Sequence, residues 1–387
     1  MLPATLERHI INDREVCLRI GVDMGGSDIK FGATNLGGDQ ILLPEIVKRP
    51  SLTRQGPAKT ASQMVDGIRE VIAKLGADWA HIANISMTVP CPCTPEGAII
   101  EATNLGTPET KSQWQLPFGD TLAAAVEEFS GIRIPVRAFN DANAAGQDDD
   151  VERFGVSTTR RSSVFITTGT GLGGCVMING SVVVGVGQAG ELGHVKCAIP
   201  AQYAARFAEE TNPPCGCSGH QCVEARASLQ GLIRRIGWAL SDTGAAFIGA
   251  DLQARGETLN PAVLAKLRDL HAQEPKLAAY NVRDLADDDQ DPFCRWLLED
   301  WAIVIGCLFA NLAPVLHPNL FIIGGGLTEM SASAKDWFID IVRRVYGEVN
   351  SQACFDSSES DCEITWSVSQ DQGWRGAILM AIRAEQA

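Results

Sequence analysis

Positive charge is scarce in this chain: 32 Lys plus Arg stand against 47 Asp plus Glu among 387 residues, a net charge of -15. That sign is wrong for holding a polyanionic backbone by counterion release, so no nucleic-acid partner is expected. The same field repels nucleotides at long range, so an anion site must be built locally from backbone N–H groups, helix N-termini or metal. Low-complexity tracts are missing too, and the balance of 45% apolar to 20% charged residues is ordinary, so the whole length is expected to fold. No basic start leads into an unbroken apolar stretch: Glu7, Arg8, Asp13, Arg14 and Glu15 interrupt the first twenty residues, and no secretory leader is read. The longest apolar run, Trp301 to Leu316, is broken by Asn311 and Pro314 and falls short of the roughly 20 residues a bilayer needs. It reads as a buried helix, with no membrane partner. Cysteine is not lacking, but three of the twelve crowd into positions 215–222 and the rest are dispersed. That fits a reduced cytoplasmic chain with one metal site better than a disulfide scaffold.

The length suits two packed lobes. Leu18 to Asp23 is apolar, turns at Asp23-Met-Gly-Gly-Ser27 and resumes as a strand at Ile29 to Thr34. About 145 residues later the pattern recurs: Val164 to Thr168, a turn at Gly169 to Gly174, then Cys175 to Ile178. Two copies of one hairpin predict a duplicated α/β architecture with one copy per lobe. Helical spacing covers Pro57 to Leu75, Thr121 to Phe129, Glu224 to Leu240, Phe293 to Leu316, Ala334 to Tyr346 and Arg375 to Ala384. Strands are expected at Ile82 to Val89, Ile134 to Ala138 and Leu320 to Ile323. The predicted lobes are 15–139, joined by the helix 375–387, and 140–374, the latter carrying a metal segment at 194–222. The acidic stretch 242–291 reads as a peripheral insertion.

Three glycine turns follow predicted strands. Asp23-Met-Gly25-Gly26-Ser27 sets a carboxylate beside glycines that let amides approach an anion, although a plain tight hairpin explains such a pair as well. Thr167-Thr168-Gly169-Thr170-Gly171-Leu-Gly-Gly174 alternates hydroxyls and glycines where both could face phosphate oxygens. Gly324-Gly325-Gly326-Leu327 admits a flat ring or ribose against bare backbone. Together they suggest a nucleoside triphosphate, with neither a dinucleotide fingerprint nor a Gly-Lys-Thr loop present. Asn140-Asp141 opens a helix, so Asp141 is either its cap or a general base for a substrate hydroxyl. Cys215, Cys217 and Cys222 with His194 make a closed tetrahedral set of the kind structural zinc prefers; His220, inside the loop, is the alternative nitrogen. Such a site would pin Glu191 and Glu224, making both available to neutral polar groups such as sugar hydroxyls; the alternative reading is two exposed surface glutamates.

This ordered set resembles the ROK family of sugar kinases, with its duplicated ribonuclease-H-like fold of the actin and hexokinase type, from Ile20 to Ala384. The resemblance implies an ATP-dependent transfer to a hydroxyl, chiefly the 6-OH, of a hexose such as glucose; N-acetylmannosamine, N-acetylglucosamine or fructose is the alternative acceptor. It implies that Asp23 approaches the magnesium of ATP and that Gly25, Gly26, Ser27 and Thr168 to Gly171 hold phosphates. Gly324 to Leu327 would lie by the adenosine, and Asp141 would take the proton. Asn104, Asn140, Glu191, His194 and Glu224 would hold the remaining sugar hydroxyls, with His194 shared between zinc and sugar. A homodimer is also implied. Ser27 stands where the family usually has Thr, and Pro90-Cys91-Pro92-Cys93 replaces the usual Pro-Gly-Pro. Family repressors carry some sixty or more residues of DNA-binding module before the first hairpin, against about nineteen here, so the regulator reading is the lesser one.

Overall fold

The computed structural model describes residues 6–102, 105–156, 161–350, 362–369 and 373–386. The chain divides into two compact units: Met1–Arg161 with Cys175–Gly190 and Val368–Ala387, and Ser162–Gly174 with Glu191–Ser367.

In the first unit a small hairpin, β1 (His9–Ile11) and β2 (Arg14–Val16), precedes the main sheet of β3 (Leu18–Met24), β4 (Asp28–Asn35), β5 (Val47–Pro50), β6 (Ile82–Val89) and β7 (Val136–Asn140). The sheet order is β5-β4-β3-β6-β7. β3, β4 and β5 form an antiparallel meander, whereas β3, β6 and β7 are parallel. Side chains alternate between the faces of a strand. Phe31 of β4 therefore meets Gly67 of α1 (Pro57–Leu75), while its neighbour Gly32 lies against Trp374 of the last helix. A methyl at Gly32 would come within 2.6 Å of the Trp374 ring, and one at Gly21 within 2.2 Å of the Trp374 carbonyl oxygen. The glycines are there to admit the tryptophan. The face toward α1 and α2 (Phe118–Ser130) carries the larger core, with Ile20, Val22, Ile68, Met87, Trp114 and Phe118 all buried.

The helix α3 (Asp141–Phe154) belongs to the first unit, so the division falls later than the 139/140 boundary expected from sequence. The reason is tertiary. Asp148, Asp149 and Asp150 are buried. Arg375 lies 3.4 Å from Asp148 and Arg383 lies 3.7 Å from Asp150, while Asp149 accepts the amides of Val368 and Ser369.

The second sheet contains β8 (Ser163–Thr168), β9 (Leu172–Ile178), β10 (Ser181–Val182), β11 (Leu320–Gly325) and β12 (Glu363–Trp366), in the order β10-β9-β8-β11-β12. Numbering the strands of each sheet from its first gives 3-2-1-4-5 twice, which is the duplication the two hairpins announced. β8, β11 and β12 are parallel, with Thr168 opposite Gly325. Helices α4 (Leu229–Ala239), α5 (Asp242–Ala254), α6 (Pro261–Gln273) and α7 (Pro275–Asp287) lead to α8 (Pro292–Leu316). α4 starts later than expected because Ser228 caps it. The stretch read as an insertion is thus three helices, and Ile248, Leu267 and Val282 are fully buried. α8 is apolar and long enough to cross a membrane by composition, but most of it is buried inside this unit. It packs on α9 (Ala332–Asn350), where Gly306 meets Val345, and on β11, where Phe309 stacks on Phe321 at 4.3 Å. The chain ends in α10 (Gly373–Gln386), back in the first unit.

Candidate active site

Parallel strands collect their carboxyl ends at one edge of a sheet, where ligands of open α/β folds bind. In the first unit β3, β6 and β7 bring Asp23, Thr88 and Asn140 to such an edge, with Asp23 paired to Thr88 and Val89 paired to Asn140. Thr88 Oγ1 donates to Asp23 Oδ1 at 2.6 Å, and Lys30 Nζ lies 3.9 Å from Oδ2. A methyl at Gly373 would come within 2.9 Å of the same carboxylate. Asp23 is thus oriented and hemmed in, suiting a carboxylate that meets a hydrated cation. In the adjoining turn the Gly25 amide donates to Asp28 O, which narrows the anion-facing amides to the exposed Gly26 and Ser27.

Of the roles left open by the sequence, the capping one falls to Asn140 and not to Asp141. Asn140 is the helix cap: its Oδ1 accepts the Asn143 amide at 3.0 Å, and its Nδ2 donates to Cys91 O at 3.3 Å. Asp141 is the first helical residue, half-buried, with Oδ1 accepting the Ala142 amide at 2.8 Å. Cys91 and Cys93 are buried, and Cys93 Sγ donates to Cys91 O, so the loop before Asn140 is braced by its own cysteines. Asn104 lies outside the described residues.

In the second unit two of the glycine turns meet. Thr168 is buried, and its hydroxyl donates to Gly324 O at 3.2 Å rather than facing outward. Gly325 has φ +83, and a methyl on it would come within 2.1 Å of Thr168 O, so only glycine fits. The Gly169 amide closes its own turn onto Gly171 O, leaving Thr170 exposed at the tip. Gly326 is exposed beside the buried Leu327. From α7, Arg283 Nη1 donates to Glu329 at 2.5 Å and to Gly326 O at 3.4 Å, and Asp287 accepts the Ser331 amide. The supposed insertion therefore props the third glycine turn. Nothing in the spacing of α7 announces that role.

The Thr168 loop continues directly into the carboxylate cluster. Glu224 Oε2 accepts the Leu172 amide at 2.9 Å, close enough that a methyl on Gly171 would reach it at 2.4 Å. Gly193 is packed equally tightly, since a methyl on it would meet Leu172 O at 2.1 Å, and Glu224 N donates to Gly193 O. Glu191 is half-buried; burial pushes its carboxyl up, His194 pulls it back, and Glu224 pushes it further up.

The donor atoms of His194, Cys215, Cys217 and Cys222 lie within 4.8 Å of one another. Cys217 and Cys222 sulfurs are 3.7 Å apart, and Cys215 Sγ is 3.6 Å from His194 Nδ1. Zinc–ligand bond lengths in a tetrahedron require about 3.8 Å between sulfurs and about 3.6 Å from sulfur to nitrogen. The donor set fits zinc, and with His194 bound through Nδ1 its Nε2 would face away from the metal. His220 points elsewhere, Nδ1 toward Asn212 O at 3.4 Å. Cys215 Sγ also lies 3.3 Å from Glu224 Oε1. Lys196, which no sequence pattern singles out, donates to Cys222 Sγ at 3.0 Å.

A family model described as the ROK family matches residues 19–384. The chain is 27% identical over 313 residues to a glucokinase from Halalkalibacterium halodurans, covering 80% of each chain. It is 29% identical over 241 residues to an N-acetylmannosamine kinase from Citrobacter koseri, covering 62% of this chain and 71% of that one. Among solved structures, a ROK hexokinase from Thermus thermophilus superimposes with a TM-score of 0.65 at 21% identity, covering 96% of this chain and all of the other.

Proposed function

The chain belongs to the ROK family and is an ATP-dependent sugar kinase, and we propose that it phosphorylates the 6-hydroxyl of a hexose such as glucose with Asp141 as general base. The observation that carries the assignment of the base is the division of labour at α3: Asn140 caps the helix, so the Asp141 carboxylate is not needed for capping. In the proposed step the sugar oxygen bonds to the γ-phosphorus, the bond to the bridging oxygen breaks in line, and Asp141 accepts the hydroxyl proton. Asp23 would meet the magnesium that neutralises charge on the phosphates. Gly26, Ser27 and Thr170 would contribute anion contacts, and Gly324 to Leu327 the wall for the adenosine. Asn140, Glu191, His194 and Glu224 would hold the other sugar hydroxyls. His194, Cys215, Cys217 and Cys222 would hold one structural zinc ion, fixing His194 and Glu224 for that task.

The experiment is a sugar panel with ATP and magnesium, ADP release as readout and NMR of the product. Glucose turnover giving the 6-phosphate supports the proposal; preferred turnover of N-acetylmannosamine, whose kinase from Citrobacter koseri is similar to this chain, would replace glucose as the substrate. We also place the protein in the cytoplasm as a homodimer. The eleven described cysteines form no disulfide with one another, as suits a reducing compartment, and light scattering reads the subunit number.

A further inference from the structure

With zinc bound, the cysteine cluster would hold more negative charge than the divalent ion balances. Three thiolates and a neutral imidazole leave a zinc complex at net minus one. Its surroundings place a further carboxylate beside it, with Glu224 Oε1 3.3 Å from Cys215 Sγ. The chain as a whole is acidic and offers no general positive field. Charge of one sign in a half-buried place requires a local partner.

Lys196 stands at that place. Its Nζ donates to Cys222 Sγ at 3.0 Å and to His220 O at 2.8 Å. Backbone pairing fixes the register, because Lys196 and Cys222 form an antiparallel bridge. Gly219 leaves room for the ammonium: a methyl there would come within 3.0 Å of Nζ and 3.2 Å of Cys217 Sγ. Two polar contacts, a backbone bridge and a glycine together distinguish this lysine from a freely solvated one.

We propose that Lys196 is a positioning residue for the metal, its ammonium donating to the Cys222 thiolate and cancelling the surplus charge of the three-cysteine, one-histidine set. The proposal rests on the zinc reading of His194, Cys215, Cys217 and Cys222. Donation from N–H to sulfur draws electron density off the thiolate and holds it in the orientation the tetrahedron needs. Arginine keeps both charge and donors, whereas methionine keeps only the length of the side chain.

The test compares the full chain with Lys196→Met and Lys196→Arg, zinc content being measured by mass spectrometry and release timed with excess chelator. Wild type is expected to carry one zinc per chain. Lys196→Met should release it on the order of 10–100-fold faster, and Lys196→Arg should stay near wild type. Cobalt-loaded protein gives a second readout, since losing the N–H donor should shift the thiolate-to-metal absorption band in Lys196→Met. Lys196 is exposed, and far-UV circular dichroism confirms that both variants fold. Zinc-loaded wild type with an unchanged release rate and coincident cobalt band in Lys196→Met overturns the role of Lys196 alone. Wild type that neither carries nor takes up zinc overturns the metal reading and this proposal with it.

Discussion

Replacing Asp141 by Asn separates the proposed chemistry from helix capping because the cap is the neighbouring Asn140. The carbonyl of the introduced amide can still accept the Ala142 N–H that Asp141 accepts at 2.8 Å, and Asn140 keeps its cap on Asn143. Losing a carboxylate charge at a helix N-terminus costs about 0.3–1 kcal/mol. For a unit of this size that is a fall in Tm of at most about 4 °C. Removing a general base costs roughly 10²–10⁴ in rate, about 2.7–5.4 kcal/mol of barrier. The catalytic effect therefore exceeds the structural one severalfold. Steady-state kinetics with the best sugar and saturating ATP should show kcat lowered by at least 100-fold, about the bottom of that range, with the sugar KM changed little. Asn140→Ala is the control: it removes a cap worth about 1 kcal/mol, so its Tm should fall further than that of Asp141→Asn. A kcat for Asp141→Asn within tenfold of wild type, or the larger Tm loss in that variant, would refute the assignment.

Gly325→Ala forces a positive φ on a side chain and drives its methyl into Thr168 O, so ATP KM should rise and Tm should drop by several degrees; an unchanged ATP KM would detach this turn from the nucleotide. Arg283→Ala removes the prop on Gly326 from α7, and a several-fold rise in ATP KM with unchanged sugar KM is expected, partly restored in Arg283→Lys; equal changes in both constants would count against it. Burial pushes the Asp148 carboxyl to about 6 against opposition from Ser369 and Arg375. The folded value exceeds the unfolded one, so ionising Asp148 costs stability: the cost is absent below about pH 4, grows between pH 4 and 6, and is complete above, reaching at most about 3 kcal/mol. The Tm of Asp148→Asn relative to wild type should therefore rise from pH 4 to 7, and parallel pH curves would exclude the effect.

Much of this was legible in the sequence because the informative features are local. A glycine turn between two apolar runs shows itself in about ten residues, so the repeated hairpins disclose the duplicated sheets without any knowledge of tertiary contacts. Cys215, Cys217 and Cys222 are likewise a short-range pattern, and their sulfurs gather with His194. What stayed hidden depends on partners far along the chain. The membership of α3 in the first unit depends on Asp148 and Asp150 meeting Arg375 and Arg383 from more than two hundred positions away, which no local pattern shows. The strand Glu363–Trp366 has only four residues and is defined by its pairing with β11. The choice between Asn140 and Asp141 as cap turns on backbone angles one residue apart, below the resolution of propensity. Lys196 and Arg283 carry no spacing signal, since each acts through contacts made by tertiary packing.

The placement of Trp374 bears on how this protein is made. The first sheet presents Gly21 and Gly32 on one face, and the side chain that covers them is encoded more than two hundred codons after Phe154 closes α3. At translation speeds of roughly 5–20 residues per second, that bare patch waits on the ribosome for about 10–45 s. The nascent chain is then a five-stranded sheet with an apolar side lacking its lid, a natural client for a chaperone. Slow-codon or truncation variants that lengthen this interval should aggregate before they lose any catalytic residue.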